Sequence, residues 1–225
     1  MNRRAARRFV MAVAVGLALA ALGGCGTSPA TRLYTLASVA ASRGDRASPS
    51  DAIVIGVRAV TLPEELDRPE IVTRTGPNTV QLAEFDQWSA PLRDSVMRVI
   101  GQDLTVLLSG DRVAVYPWPP GTSVDRELVV QVTRFDGQLG GRCVLHAQWQ
   151  MLTRRGARSV ITGRSTLNDA CGPDYAAFAA TQSRLLGTLS AEIASAIHDA
   201  RADVTAPRVE TNSVPEDRPR VGESD

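Results

Sequence analysis

From Arg142 to Thr153 apolar and polar residues alternate without a break. Cys143, Leu145, Ala147, Trp149 and Met151 fall on one side, and Arg142, Val144, His146, Gln148 and Gln150 on the other. Side chains of a strand point to opposite faces in turn, so this segment predicts a long strand with one face in a core. A second run over 126–136 precedes it, joined across Asp136-Gly137-Gln138-Leu139-Gly140-Gly141. A third strand over about 159–168 follows the turn at Arg154-Arg155-Gly156. The face that carries Cys143 is the one a helix should cover.

Two helices are available to cover it. Pro91 after Ser89 marks a helix start, and Leu92, Val96, Val99, Ile100, Leu104 and Leu107 recur at helical spacing until Gly110. The second runs from Pro173 to about Ala200, with Tyr175, Phe178, Leu185, Leu186, Leu189, Ile193 and Ile197 on its apolar side. Upstream, the β-branched run Ala52 to Val60 reads as a strand. Ile71 to Arg74 and Thr79 to Leu82 flank the turn formers Thr75-Gly76-Pro77-Asn78 as a hairpin. Val113 to Tyr116 is a short strand stopped by Pro117, Pro119 and Pro120. Arg32-Leu33-Tyr34-Thr35-Leu36 is a short β-like segment expected at a sheet edge. The pattern predicts an α+β fold, an α/β sandwich in which a largely antiparallel β-sheet carries two main helices on one face.

The first residues determine where such a domain works. Arg3, Arg4, Arg7 and Arg8 precede an apolar stretch from Phe9 to Leu22, the layout of a secretory signal. That stretch is short of the roughly 20 residues that span a bilayer. Leu22-Gly23-Gly24-Cys25 resembles the lipobox of bacterial lipoproteins, which implies cleavage before Cys25, diacylation of its thiol and acylation (such as by palmitate) of its amino group. More than one acyl chain holds a protein stably on a membrane. Gly26, in place of Asp, resembles the sorting signal for the outer membrane of Gram-negative cells. The expected organisation is a signal peptide over 1–24, a lipidated N-terminus and linker with one short strand over 25–50, one domain over 51–201, and a disordered, Pro- and charge-rich tail over 202–225. With Cys25 assigned to lipid, Cys143 and Cys171 remain as an even pair in an oxidising compartment. They are expected to form a disulfide that pins the last helix to the sheet, worth about 3 kcal/mol in the chain-entropy account; the alternative is two buried free thiols.

Composition excludes several kinds of chemistry. All 25 basic residues are Arg, against 24 acidic ones. A chain without Lys has no Schiff-base amine, lysine base or Walker-type phosphate loop, and near charge balance leaves no broad basic field for nucleic acid. There are two histidines. Cys143 and His146 lie three apart in a strand and so face opposite ways, and His198 sits near a helix end where positive charge suits the dipole, so no metal site is expected. Neither histidine follows a Gly-x-Ser-x-Gly elbow, and Glu64 and Glu65 are adjacent acids in a Pro-flanked turn, so no catalytic residues and no cofactor are expected. The Gly-rich turn at 137–141 lacks the helix N-terminus of a phosphate cradle. Trp118, in the stiff segment Tyr116-Pro117-Trp118-Pro119-Pro120, is expected at an edge or rim, packed over the core edge or presented to a partner.

Several segments together resemble one family, the ABC-transport auxiliary lipoproteins (PqiC or YmbA-like). Leu62-Pro63-Glu64-Glu65-Leu66-Asp67-Arg68-Pro69-Glu70-Ile71-Val72 resembles its signature, and Gln87-Trp88-Ser89-Ala90-Pro91-Leu92 resembles its approach to the first helix. Phe135-Asp136-Gly137 with Gly140-Gly141 resembles its hairpin turn, and Tyr34-Thr35-Leu36 its opening strand. The resemblance implies a non-catalytic lipoprotein of the outer membrane, facing the periplasm. It would serve a transport system built on MCE-domain proteins, dock the outer-membrane end of their lipid conduit, and support membrane integrity. It also implies ring-like self-association, with strand edges and the Trp118 loop as contacts. Asp67, Arg68 and Trp118 are the candidate partner interface; for Asp67 and Arg68 the simpler reading is a mutual ion pair that braces the turn before Pro69. A competing reading is a periplasmic carrier that itself holds an acyl chain, which would need an apolar cavity between sheet and helices. The small residues Ala176, Ala179, Ala194 and Ala196 point instead to close packing there.

Overall fold

The computed structural model describes residues 29–41, 52–153 and 159–205. Cys25, the expected leader and the tail beyond Thr205 lie outside them. In chain order the elements are β1 (Arg32–Tyr34), β2 (Val54–Thr61), a single 3-10 turn (Glu64–Leu66), β3 (Glu70–Gly76), β4 (Thr79–Trp88), α1 (Leu92–Leu107), β5 (Arg112–Val115), β6 (Arg126–Gly137), β7 (Arg142–Thr153), β8 (Ser159–Ala170) and α2 (Tyr175–Thr205). The fold is α+β, with two helices packed against strands.

The strands divide into two sheets. The larger has the order β5-β2-β6-β7-β8, and the smaller β1-β4-β3. β6–β7, β7–β8 and β3–β4 are antiparallel, as adjacent runs in sequence favour. β2, however, lies parallel to both β5 and β6. A parallel neighbour needs a long crossover, and the segment that contains the β3–β4 hairpin and α1 supplies it between β2 and β5. The Pro-rich loop then carries the chain from β5 to β6, on the other side of β2.

One face of the large sheet makes the core. Cys143, Leu145, Ala147, Trp149 and Met151 of β7 are all buried, joined by Ile55, Val57, Leu128 and Val130. α1 covers β2 and β5, α2 covers β7 and β8, and the helices pack on each other. Val96, Val99, Ile100 and Leu104 of α1 and Leu186, Leu189 and Ile193 of α2 fill the space between. Of the four small residues on α2, Ala179 and Ala194 are buried, Ala176 is exposed and Ala196 lies between. Cys143 and Cys171 are bonded, with 28 positions of sequence between them. Gly137 lies across the bond: a Cβ there would sit 2.6 Å from Cys171 Sγ and 2.8 Å from Cys143 Sγ. Arg201, far along α2, reaches the buried Asp111 carboxylate at 2.9 Å, so the helix is held near both ends.

Two segments behave differently from their reading in the sequence. β1 is an edge strand, as expected, but it belongs to the small sheet, where it pairs parallel with Asp86–Trp88 of β4. The residues after it, 35–41, fell partly in the expected linker and instead form a strap across the two helices. α2 continues through Arg201 to Thr205, into the first residues of the expected tail.

Candidate functional site

Leu62 and Leu66 turn the chain inward at the 3-10 turn. Leu66 is buried and Leu62 packs against the core. The turn closes with Leu66 N donating to Pro63 O at 3.0 Å and Asp67 N to Glu64 O at 3.1 Å. This holds Asp67, Arg68 and Pro69 at the surface, while Trp88 N donates to Pro69 O at 2.8 Å. Burial thus anchors the two leucines and leaves the charged centre of the motif facing outward. β4 ends at Trp88, and the chain passes through Ala90 and Pro91 into α1.

The result is an open cleft of about 370 Å³ lined by Asp67, Arg68, Pro69, Trp88, Ala90 and Pro91. Its lining joins two segments that are some twenty residues apart in sequence. Asp67 and Arg68 do not pair with each other. Asp67 accepts from Arg93 in the first turn of α1, and Arg68 lies 3.5 Å from Glu70. The geometric reason is that adjacent residues in this turn project to different sides, one toward the helix start and one along β3. Glu64, Glu65 and Asp94 are exposed around the same region.

Beside the cleft, the small sheet holds a buried acid. Asp86, two residues before Trp88, accepts from Arg32 Nε at 2.7 Å, from Arg32 Nη2 at 2.8 Å and from the Tyr34 hydroxyl at 2.6 Å. The Arg32 guanidinium, helped by Tyr34, holds the Asp86 carboxyl below the usual carboxylate range against the opposing effect of burial. The same hydrogen bond raises the Tyr34 phenol. Ser89 N donates to Tyr34 O at 2.8 Å, so β1 also fixes the floor beneath Ala90.

The strap is fastened to a second buried acid. Asp103 of α1 is wholly buried; it accepts from Ser38 Oγ at 2.5 Å, Ala40 N at 3.3 Å and Ser190 Oγ of α2 at 3.3 Å. Ala37 N donates to Ser183 Oγ at 3.2 Å, and Arg98 donates to Leu36 O at 2.9 Å. Leu36 is buried, and Val39 sits where a Cβ on Gly187 would approach it to 2.6 Å.

Trp118 is half-buried, with its indole ring over Gly56 on the face of β2 opposite the helices. It packs there beside Val124, on the face away from the core and not over the core edge, and it is not the exposed aromatic of its loop. Tyr116, edge-on to Trp118 at 5.6 Å, is the one exposed to solvent. His146 lies on the outer face of β7 and His198 is exposed on α2. Sequence reasoning missed the two acid clusters. Asp103 carried a readable sign, because it sits three residues after Ile100 and four after Val99, inside the apolar stripe of α1. Asp86 carried none, since its partners are distant in sequence.

The profile of the family described as "ABC-type transport auxiliary lipoprotein component" matches residues 34–194. The chain is 26% identical over 128 residues to the intermembrane transport lipoprotein PqiC of Escherichia coli K12, covering 57% of this chain and 67% of that protein. The PqiC of Shigella flexneri matches equally. Two solved structures share the fold. A protein from Xanthomonas campestris superposes with a TM-score of 0.63 at 20% identity, over 78% of this chain and all of that one. An uncharacterised protein superposes at 0.61 and 22% identity, over 75% and 99%. No helix among the described residues is long and apolar enough to cross a membrane. The matched span holds every element from the end of β1 to the middle of α2, both segments that line the cleft and both cysteines of the bridge, and the chain belongs to the family of ABC-type transport auxiliary lipoproteins.

Proposed function

We propose that this protein is a non-catalytic lipoprotein anchored through Cys25 to the outer membrane, facing the periplasm. There it docks the end of an MCE-type lipid conduit. The observation that carries this reading is the convergence of the two signature segments on an open surface cleft. Asp67 and Arg68, the exposed centre of the signature, are engaged with Arg93 and Glu70 and hold the cleft's shape. A rigid recognition surface on a tethered domain gains effective concentration near its membrane. Buried Ala179 and Ala194 bring α2 close to its neighbours, which favours docking over carriage of an acyl chain inside the domain. Ring-like self-association belongs to the same reading; β5 and β8, the outer strands of the large sheet, offer its edges.

The test is photocrosslinking in intact cells from a reactive side chain placed at Ala90, with mass spectrometry of what is captured. Recovery of an MCE-domain protein supports docking. Capture of outer-membrane components alone, from this site and from other surface positions, overturns it.

A further inference from the structure

The cleft carries chemistry that narrows what it binds. Its floor and walls are Trp88, Pro69, Pro91 and Ala90, rigid apolar groups that lose little entropy on contact. A volume of about 370 Å³ suits one or two side chains, not a folded domain. The charges around it are unevenly committed. Both nearby arginines are engaged, Arg93 with Asp67 and Arg68 with Glu70. Glu64, Glu65 and Asp94 are exposed and have no ionic or hydrogen-bonded side-chain partner among the described residues. Asp94 also occupies the first turn of α1, where it already answers the positive end of the helix dipole. The uncommitted charge beside the cleft is therefore all negative.

We infer that the cleft receives an extended segment of the partner protein in which an apolar or proline side chain is flanked by arginine or lysine. The aliphatic or pyrrolidine group sits between the exposed Pro69 and Pro91, over the small part of the largely buried Trp88 that reaches the cleft. The flanking cations lie toward Glu64 and Glu65 on one side and Asp94 on the other. Charge complementarity of this kind sets specificity and association rate more than bulk affinity. The inference rests on the docking reading and names the chemistry of its partner.

Three capped peptides test it against the purified full-length lipoprotein: Arg-Pro-Leu-Arg, Glu-Pro-Leu-Glu and Arg-Gly-Ser-Arg. The first is expected to bind at least about tenfold more tightly than either of the others, and to weaken as salt rises from about 0.05 to 0.5 M. The double variant Glu64→Gln, Glu65→Gln, confined to exposed positions, is expected to remove most of the preference over the acidic peptide. Ala90→Trp is expected to abolish binding of all three by filling the cleft. Equal binding of the basic and acidic peptides, or a preference for the acidic one, overturns the charge assignment. Equal binding of the Gly-Ser peptide overturns the apolar anchor. Crosslinking from Ala90 separates the two readings: capture of an MCE protein through an acidic or polar segment keeps docking and removes this inference. Peptide selectivity as expected, without capture of any MCE protein, keeps the inference and removes the partner.

Discussion

Two buried carboxylates do different work with similar chemistry. Asp103 holds three neutral donors, from exposed Ser38, half-buried Ala40 and buried Ser190. Removing an acceptor strands its donors, each at a cost of about 1–3 kcal/mol when buried. Asp103→Ala, which strands the buried Ser190 hydroxyl, is therefore expected to lose about 1–3 kcal/mol in urea denaturation, whereas Ser38→Ala, which deletes one exposed donor, should lose less than about 1 kcal/mol. Asp86 is tied instead to Arg32, whose side chain is largely exposed, so salt should weaken that pair. Its carboxyl is held below its ordinary value in the folded state, as is that of Asp169 by Arg184 and the Ala170 amide. Each therefore contributes stability that is complete above the unfolded value of about pH 4 and is lost as pH falls through the lower folded one. Denaturation midpoints should fall between pH 5 and pH 2, and Asp86→Asn should flatten that fall while lowering stability at pH 7. Only Asp103 could have been suspected from sequence, as an acid inside an apolar stripe. Asp86 could not, because nothing local links it to Arg32, a separation of 54 residues.

Elements with local partners were legible, and those with distant partners were not. β7 was readable to the residue because its alternation is the imprint of one covered face, and β6 and β8 followed through short turns. α1 was readable from its stripe and from Pro91. The parallel position of β2 was not, since parallel pairing leaves no turn signal and its neighbours β5 and β6 lie far along the chain. The signature turn was correctly framed by its leucines, but the partners of Asp67 and Arg68 depended on where α1 and β3 start, which sequence leaves open. The bridge between Cys143 and Cys171 closes a loop of 28 residues, and replacing both by Ala should lower stability by about 3–4 kcal/mol on the chain-entropy account. Hydrogen exchange should show the loss first at the start of α2. Gly187→Leu tests the strap separately. The added side chain competes with Val39, so amides over 37–40 should exchange faster while those of β7 keep their protection.

At the scale of the molecule, the segment ahead of β2 is part of the fold. A chain that begins at Ala52 should be less stable than one that begins at Pro29, because it lacks buried Leu36, the partners of Asp86 and two of the donors to Asp103. Paired urea denaturation curves of the two chains check this. If 29–51 were only a spacer, the midpoints would coincide. The fastenings of β1 and the strap also lie one after another along the chain, first Arg32 and Tyr34 on Asp86, then Leu36 in the core, then Ser38 and Ala40 on Asp103. Tension applied from the N-terminal side loads the first of them before the others, and they give way in sequence. Release of 32–41 frees a contour of about 33–36 Å, less the span this already extended segment covers in the fold. Under such a pull the strap is expected to open before α1, α2 and the disulfide-bonded sheet, which single-molecule extension would record as a short step ahead of global unfolding.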